Sequence, residues 1–335
     1  MAKLGMPNVI ISFREAGIAA IERSQRGIVF LILEEEQNVI DELTVNTNAI
    51  VGKAITGQAI TGNTEEKEVI ENPFTIYTTD DIPAALSENN KDYITKCLLG
   101  YVTAPYRVKV YLQAKGKTGA DKWQESLKKI AAERWDYLAI PTIETEQLET
   151  VGTWIKTNRG NKYKKVKAVL PGYNGDYEGI INFSNKTIKT ATKTYTPAEY
   201  TARIVGLIAG TPMTISATYA PLGEVIDCDK YDLDENDEKV NNGEFFIWYD
   251  GTKYKMSRAM NSLVTTTEGK QEGYQTIKIV DIMDMIYDDV RTTAQDSYIG
   301  NMPIRMIINV CLSRRLPDIL KNLKVKVFYK LIILL

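Results

Sequence analysis

The order of apolar and polar positions predicts alternating strands and helices through the middle of the chain. Asn8-Val9-Ile10-Ile11-Ser12-Phe13 is a short apolar run behind Pro7, suited to a strand. Gly27-Ile28-Val29-Phe30-Leu31-Ile32-Leu33 is unbroken apolar sequence, the mark of a strand buried on both faces. Glu34-Glu35-Glu36 is expected to end it in solvent. Residues 41–75 mix Thr, Val and Ile with Gly52, Gly57 and Gly62 and suggest a hairpin. Asp80-Asp81-Ile82-Pro83 carries helix-start signals, and a helix is expected from Lys91 to Leu99, stopped by Gly100. Tyr106 to Leu112 alternates as a strand. Asp121 to Glu133 repeats Trp123, Leu127 and Ile130 at helical spacing. A strand at 137–141, a helix at 145–158, a strand at 166–170 and a helix at 198–209 follow.

After residue 215 the pattern changes. Asp250-Gly251 between Phe245–Tyr249 and Tyr254–Met256 is a hairpin signal. Tyr274 to Val280 alternates as a strand, and Asp281 to Thr293 has helical spacing. The fold class expected is α/β and α+β, multidomain. It comprises an arm at 1–25, a small β-rich region at 26–89, a doubly wound α/β domain at 90–215 and an α+β domain at 216–300. Residues 301–335 stand apart.

Composition narrows the functions. The 335 residues contain no histidine, which removes Ser-His-Asp and Cys-His catalysis and imidazole metal sites. Cys97, Cys228 and Cys311 are widely spaced and make no zinc pattern or disulfide framework, so a reduced compartment is expected. The start is not a signal peptide, and the longest apolar runs fall short of a membrane span. The formal net charge of −2 argues against direct nucleic-acid binding, but it hides a break. Residues 301–335 hold seven basic residues and one acid, net +6, leaving −8 for residues 1–300. That last segment is about 60% apolar, roughly the limit for a globular stretch. It reads either as a buried terminal strand or as foreign sequence.

Three loops offer candidate chemistry. Asp232-x-Asp234-x-Asn236, within the acidic run Asp227 to Glu238, copies the opening of a calcium loop. Asp237 replaces the turn glycine and Gly243 the closing glutamate, so a solvated acidic loop is the better reading. Gly172 to Gly179 follows a strand of the α/β domain, where open sheets bind ligands. Its glycines miss the dinucleotide spacing, and no phosphate loop or Gly-x-Ser-x-Gly elbow occurs. This loop carries the alternative function, an α/β hydrolase or nucleotide-binding enzyme. Lys156 to Lys165 is basic and could meet phosphate or an acidic partner surface, though a solvated helix end suffices. No catalytic residue, metal site or cofactor is expected. The apolar arm Asn8 to Phe13 either pairs within its own domain or augments a sheet edge of another chain.

Several segments, in order, resemble the tail sheath proteins of contractile phages and phage-like particles of Gram-positive bacteria. They are Pro7 to Phe13, Arg26-Gly27-Ile28-Val29, Pro73-Phe74-Thr75-Ile76-Tyr77 and Asp80 to Pro83. Val169 to Asn174, Ala202 to Pro212, Asp250-Gly251 and Asp296-Ser297-Tyr298-Ile299-Gly300 complete the set. The likeness covers residues 1–300. It implies a structural, non-enzymatic subunit of the virion tail, assembled in the bacterial cytoplasm. Such subunits stack as rings, with the tail tube, baseplate and tail terminator proteins as partners, and without nucleic acid or membrane. It implies a subtilisin-like, non-catalytic central domain. It also makes Asn8, Val9, Ile10, Ile11, Ser12 and Phe13 the assembly interface, paired with a neighbour's sheet. In this family Tyr-Ile-Gly is typically followed by something like Lys-Tyr-Ala-Asn-Ser-Tyr-Asp-Asn-Lys-Cys. Plausible codons for Asn301 to Val310 are AAT ATG CCA ATT CGT ATG ATA ATA AAT GT. With one A added in front they read AAA TAT GCC AAT TCG TAT GAT AAT AAA TGT, which encodes that peptide. A one-base loss after Gly300 is therefore expected.

Overall fold

A computed structural model of the chain describes residues 26–44 and 70–297. The arm residues Asn8 to Phe13, most of the expected 41–75 hairpin and the 301–335 segment lie outside the described residues. The chain divides into two compact units, one of which is Arg26–Val280.

That unit is built on a seven-stranded sheet. Its strands are β1 (Ile28–Glu35), β2 (Phe74–Ile76), β3 (Arg107–Ala114), β4 (Tyr137–Ala139), β5 (Lys167–Pro171), β6 (Ile180–Phe183) and β10 (Glu244–Phe245). Their spatial order is β10-β6-β5-β4-β1-β3-β2. All neighbours are parallel except β2 and β3. Strand β1 lies inside the sheet, in register with β3 from Ile28↔Arg107 to Glu35↔Ala114. The expected separate β-rich region at 26–89 thus contributes a strand to the middle of the α/β sheet, and residues beyond 215 contribute an edge. Continuous apolar sequence can only be a strand where both faces are covered.

Helices cover both faces. Val29, Leu31 and Leu33 pack in one cluster with α2 (Glu88–Leu98) and α5 (Pro197–Ala209). Ile28, Phe30 and Ile32 pack in the other with α3 (Gln124–Ile130) and α4 (Leu148–Gly160). Helix α1 (Gln37–Thr44) buries only Ile40 and Leu43. Helix α5 begins with a capping box, in which Thr196 and Glu199 each satisfy the other's backbone N–H, and Pro197 stands at its first position. A three-stranded antiparallel sheet joins β7 (Ile188–Thr190), β8 (Thr194–Tyr195) and β9 (Val225–Cys228) in the order β8-β7-β9. The ribbon β11 (Ile247–Tyr249) and β12 (Tyr254–Met256) is the hairpin expected around Asp250-Gly251.

Three expectations are corrected. Glu35 does not end β1 in solvent. It is 1% exposed, and its carboxylate accepts from Ser87 N at 2.9 Å, Asn90 Nδ2 at 2.9 Å and Glu36 N at 3.1 Å. Asp80-Asp81 opens only a 3-10 turn, because the Asp81 carboxylate accepts the Tyr77 and Thr78 amides and the chain then extends at Ile82. Tyr274–Val280 is no strand. A 3-10 turn at Glu272–Gln275 leads into α7 (Ile277–Ser297), whose first apolar residues satisfy both periods.

Helices α2 and α5 meet backbone to backbone at Gly206. A Cβ there would lie 2.0 Å from the Cys97 carbonyl oxygen. Gly100 ends α2 at φ +58°, in the left-handed region that favours glycine. Gly206→Ala must push the two helices apart, and we expect a loss of about 2–3 kcal/mol in denaturant unfolding. An unchanged midpoint would show that the contact is not tight.

Candidate assembly surfaces

The ligand position of an open parallel sheet is the crevice where neighbouring strands send their connections in opposite directions. Here that point lies at the C-terminal ends of β1 and β4, since β1 leads towards β3 and β4 towards β5. The crevice is filled by the protein's own groups. Lys122 is buried, with Nζ 3.0 Å from Glu34 and 3.7 Å from Glu144. Trp123 Nε1 donates to Gln147 Oε1 at 2.7 Å, which also accepts from the Glu144 amide at 3.1 Å. Glu35 is taken up by the three donors given above. Burial opposes its charge, but these hydrogen bonds outweigh it and hold its pKa below the ordinary 4.5.

The Gly172–Gly179 loop follows β5 but works as a clasp. Asp176 Oδ1 accepts the amides of Val264 at 2.7 Å and Thr265 at 2.9 Å, which lowers its pKa. Glu178 pairs with Lys270 at 2.8 Å and sits 3.8 Å from Arg159. Tyr173 donates to Glu149 at 2.7 Å and packs on Gly152. The loop holds no hydroxyl or thiol nucleophile other than tyrosine phenols, and both of its carboxylates are engaged. The enzyme alternative finds no support in this geometry.

The acidic run forms helix α6 (Leu233–Asn241), with no buried residue. Asp232, expected as a first cation ligand, is its N-cap and accepts Glu235 N at 2.8 Å, while Glu235 answers to Asp232 N at 3.0 Å. The calcium-like spacing is therefore a capping box, and among the described residues no group of acids or cysteines is arranged to hold a metal. Cys228, beside this run, is half-buried, and burial with nearby Asp229 and Asp227 pushes its thiol up to about 12.

Two further surfaces are exposed. On the β11–β12 ribbon, Trp248 stacks with Tyr219 at 5.8 Å and Tyr249 with Tyr254 at 4.9 Å. Tyr219 is held at φ +59°, unusual for a bulky side chain, and is 59% exposed. At the opposite end of the strands from the crevice, Leu99, Val102 and Tyr106 are exposed in the loop before β3. That loop adjoins the start of β1, where Tyr106 N donates to Gly27 O at 3.0 Å. Sequence periodicity could not single out either group, because exposed and buried aromatics look alike along a short strand.

Comparison with known proteins decides the family. The chain is 33% identical over 304 residues to the tail sheath protein of Clostridium phage phiCD119, covering 89% of this chain and 75% of that one. The chain belongs to the phage tail sheath family. The profile of the phage tail sheath protein central domain matches residues 116–262. The sheath tail protein Lin1278 of Listeria innocua shares the fold, with a TM-score of 0.67, 16% identity and coverage of 85% of this chain and 80% of that one. The contracted helical sheath of the anti-feeding prophage aligns with a TM-score of 0.60 and 11% identity, covering 91% of this chain and 78% of that one. The seven-stranded mixed sheet with helices on both faces is thus a sheath architecture, and the crevice that would serve an enzyme is closed in this member.

Carboxylates with lowered pKa values stabilise the fold above their unfolded values and lose that contribution as pH falls through the folded ones. Glu35, Asp176 and Glu224 are all lowered, Glu224 by Arg203 against its own burial. We expect the melting temperature of this sheath protein to stay level from neutral pH to about pH 5 and to fall below the ordinary carboxylate range. Glu35→Gln should cost about 1–3 kcal/mol at neutral pH and flatten the acid limb. A melting temperature insensitive to Glu35→Gln at both pH values would contradict this.

Proposed function

We propose that this chain is the polymerising subunit of a contractile tail sheath, a non-enzymatic protein of the virion tail. Copies stack as rings around the tail tube, contract and drive the tube through the bacterial envelope. The observation that carries this is the identity with the Clostridium phage tail sheath protein along 89% of the chain. The filled strand-end crevice supports the non-enzymatic part, and the likeness to a contracted helical sheath supports the mechanical part. The baseplate, tube and tail terminator proteins are the expected partners, and the sheet domain is a subtilisin-type scaffold without its chemistry. Asn8, Val9, Ile10, Ile11, Ser12 and Phe13 form the arm strand that joins a neighbour's sheet. It continues into β1 through Arg26, whose guanidinium lies 3.0 Å from Asp136. Residues 301–335 are read in a shifted frame, as their +6 charge and the ten-residue recovery suggest.

Electron microscopy tests this reading on two proteins, the chain as it stands and a version with one base restored after codon 300. Tubes or rings are expected from the restored protein, with weak or no assembly from the other. Removing residues 1–15 from the restored protein should abolish them. Uniform monomers from the restored protein would refute the sheath function, and normal polymers after the deletion would refute the role of the arm.

A further inference from the structure

The two strongly charged segments singled out in the sequence fold into complementary surfaces. Helix α6 lies against the short edge strand β10 and buries no residue. It exposes Asp232, Asp234, Glu235, Asp237 and Glu238, and Leu233 at its first turn is 74% exposed. Among the described residues, none of these five carboxylates has a lysine or arginine in ion-pair contact. A nine-residue helix with no buried face and an exposed leucine is an element without its packing partner.

The second surface joins two loops at the N-terminal ends of β4 and β5. Lys164 Nζ donates to the Ala131 carbonyl, which holds the loop after α4 against the end of α3. This brings Lys162 and Lys165 into one patch with Lys128 and Lys129 of the last turn of α3. Tyr163 stands among them, 58% exposed and at φ +56°. A bulky residue in the left-handed region is strained, and such strain persists where the surroundings impose it. Here it presents an aromatic ring at the tip of a basic loop. No ion pair links this patch to α6 within the chain among the described residues.

We propose that α6 of one copy docks on the Lys162–Lys165 loop of the next, with Leu233 and Tyr163 at the centre and the charges around them. The occupant is a second copy because both halves of the contact are on this chain, opposite in charge, and one chain does not bring them together. Such a contact is heterologous. Each copy offers one half to each of two neighbours, so it propagates into closed rings or open helices. A symmetric dimer would leave the charges unmatched. The inference rests on the sheath reading and deepens it by naming a contact between subunits that does not involve the arm.

The test uses the full chain at high concentration, as a mixture of isotopically light and heavy protein. A carbodiimide joins carboxylates to lysines already in salt-bridge reach, and mass spectrometry picks out peptides of mixed isotope. Expected are mixed pairs joining Lys128, Lys129, Lys162 or Lys165 to carboxylates of 232–238. Lys162→Glu with Lys165→Glu should lower their yield at least about tenfold. Mixing that variant with Asp234→Lys, Glu238→Lys should restore cross-linking between the two proteins. Mixed pairs elsewhere, unaffected by charge reversal, would overturn this interface and leave the sheath reading standing. No mixed product at any concentration would overturn the interface and count against self-assembly as well.

Discussion

The fold depends on β1. Its side chains from Ile28 to Leu33 are all buried, alternately under α2 with α5 and under α3 with α4. Such a strand has no stable alternative to the middle of a two-sided sheet. Its ends must therefore be closed by groups that satisfy the last backbone donors away from water. At the start, Asp136 accepts the Gly27 and Ile28 amides at 2.9 and 3.0 Å while Arg26 pairs with it. At the far end, Glu35 gathers Ser87, Asn90 and its own neighbour's amide. These two carboxylates tie β1 to the loop before β4 and to the start of α2. The elements between which connections reverse are thereby locked, and a crevice that could take a ligand becomes a joint.

That joint lies where an arm would pull. A load entering at Arg26 meets β1 directly, and β1 is held along its whole length by parallel neighbours, with eight residue pairs in register on the β3 side. Force along a strand in this arrangement loads many hydrogen bonds at once instead of opening them one by one. The Asp136 clamp adds the first resistance. An α/β sheet that has given up its ligand crevice is suited to carrying load, because nothing near its centre needs to open.

Much of this was legible in sequence, for identifiable reasons. β1, β3 and α5 declare themselves because their burial patterns are long and consistent with one period. The stop at Gly100 and the hairpin at Asp250-Gly251 follow from turn chemistry. Other features depend on partners distant in sequence. Glu35 looks like a solvent residue until Ser87 and Asn90 are brought to it. Phe245 and Ile247 lie in one apolar run, yet the first pairs with Phe183 in the large sheet and the second with Met256 in the ribbon. Ser257 makes the division by bonding both the amide and, through its own backbone, the carbonyl of Phe246. Asp232-x-Asp234-x-Asn236 satisfies a cation-loop spacing and a helix cap equally, and only the following helical residues decide. As for the site, charge was visible at 156–165 and 227–238. That Lys164 folds one loop onto the end of α3 was not.

A contact made mainly of charge suits an assembly that must change its packing. Interlocked apolar surfaces have few good registers, and sliding them by a few ångströms loses most of their contact energy. Opposite charges on flexible lysines and on a helix free of its own core tolerate such a shift, because Coulomb energy falls off gradually with distance. Each exposed pair is worth little, about 0.2–1 kcal/mol, so no single pair fixes the register. Rigid connections between subunits can then come from chain continuity through β1, while surface charge keeps neighbours apposed in both packings. The division matches what the fold provides. A sheet that is locked at both ends of its central strand stands beside a helix and a loop that are fully ordered in backbone but hold nothing of their own.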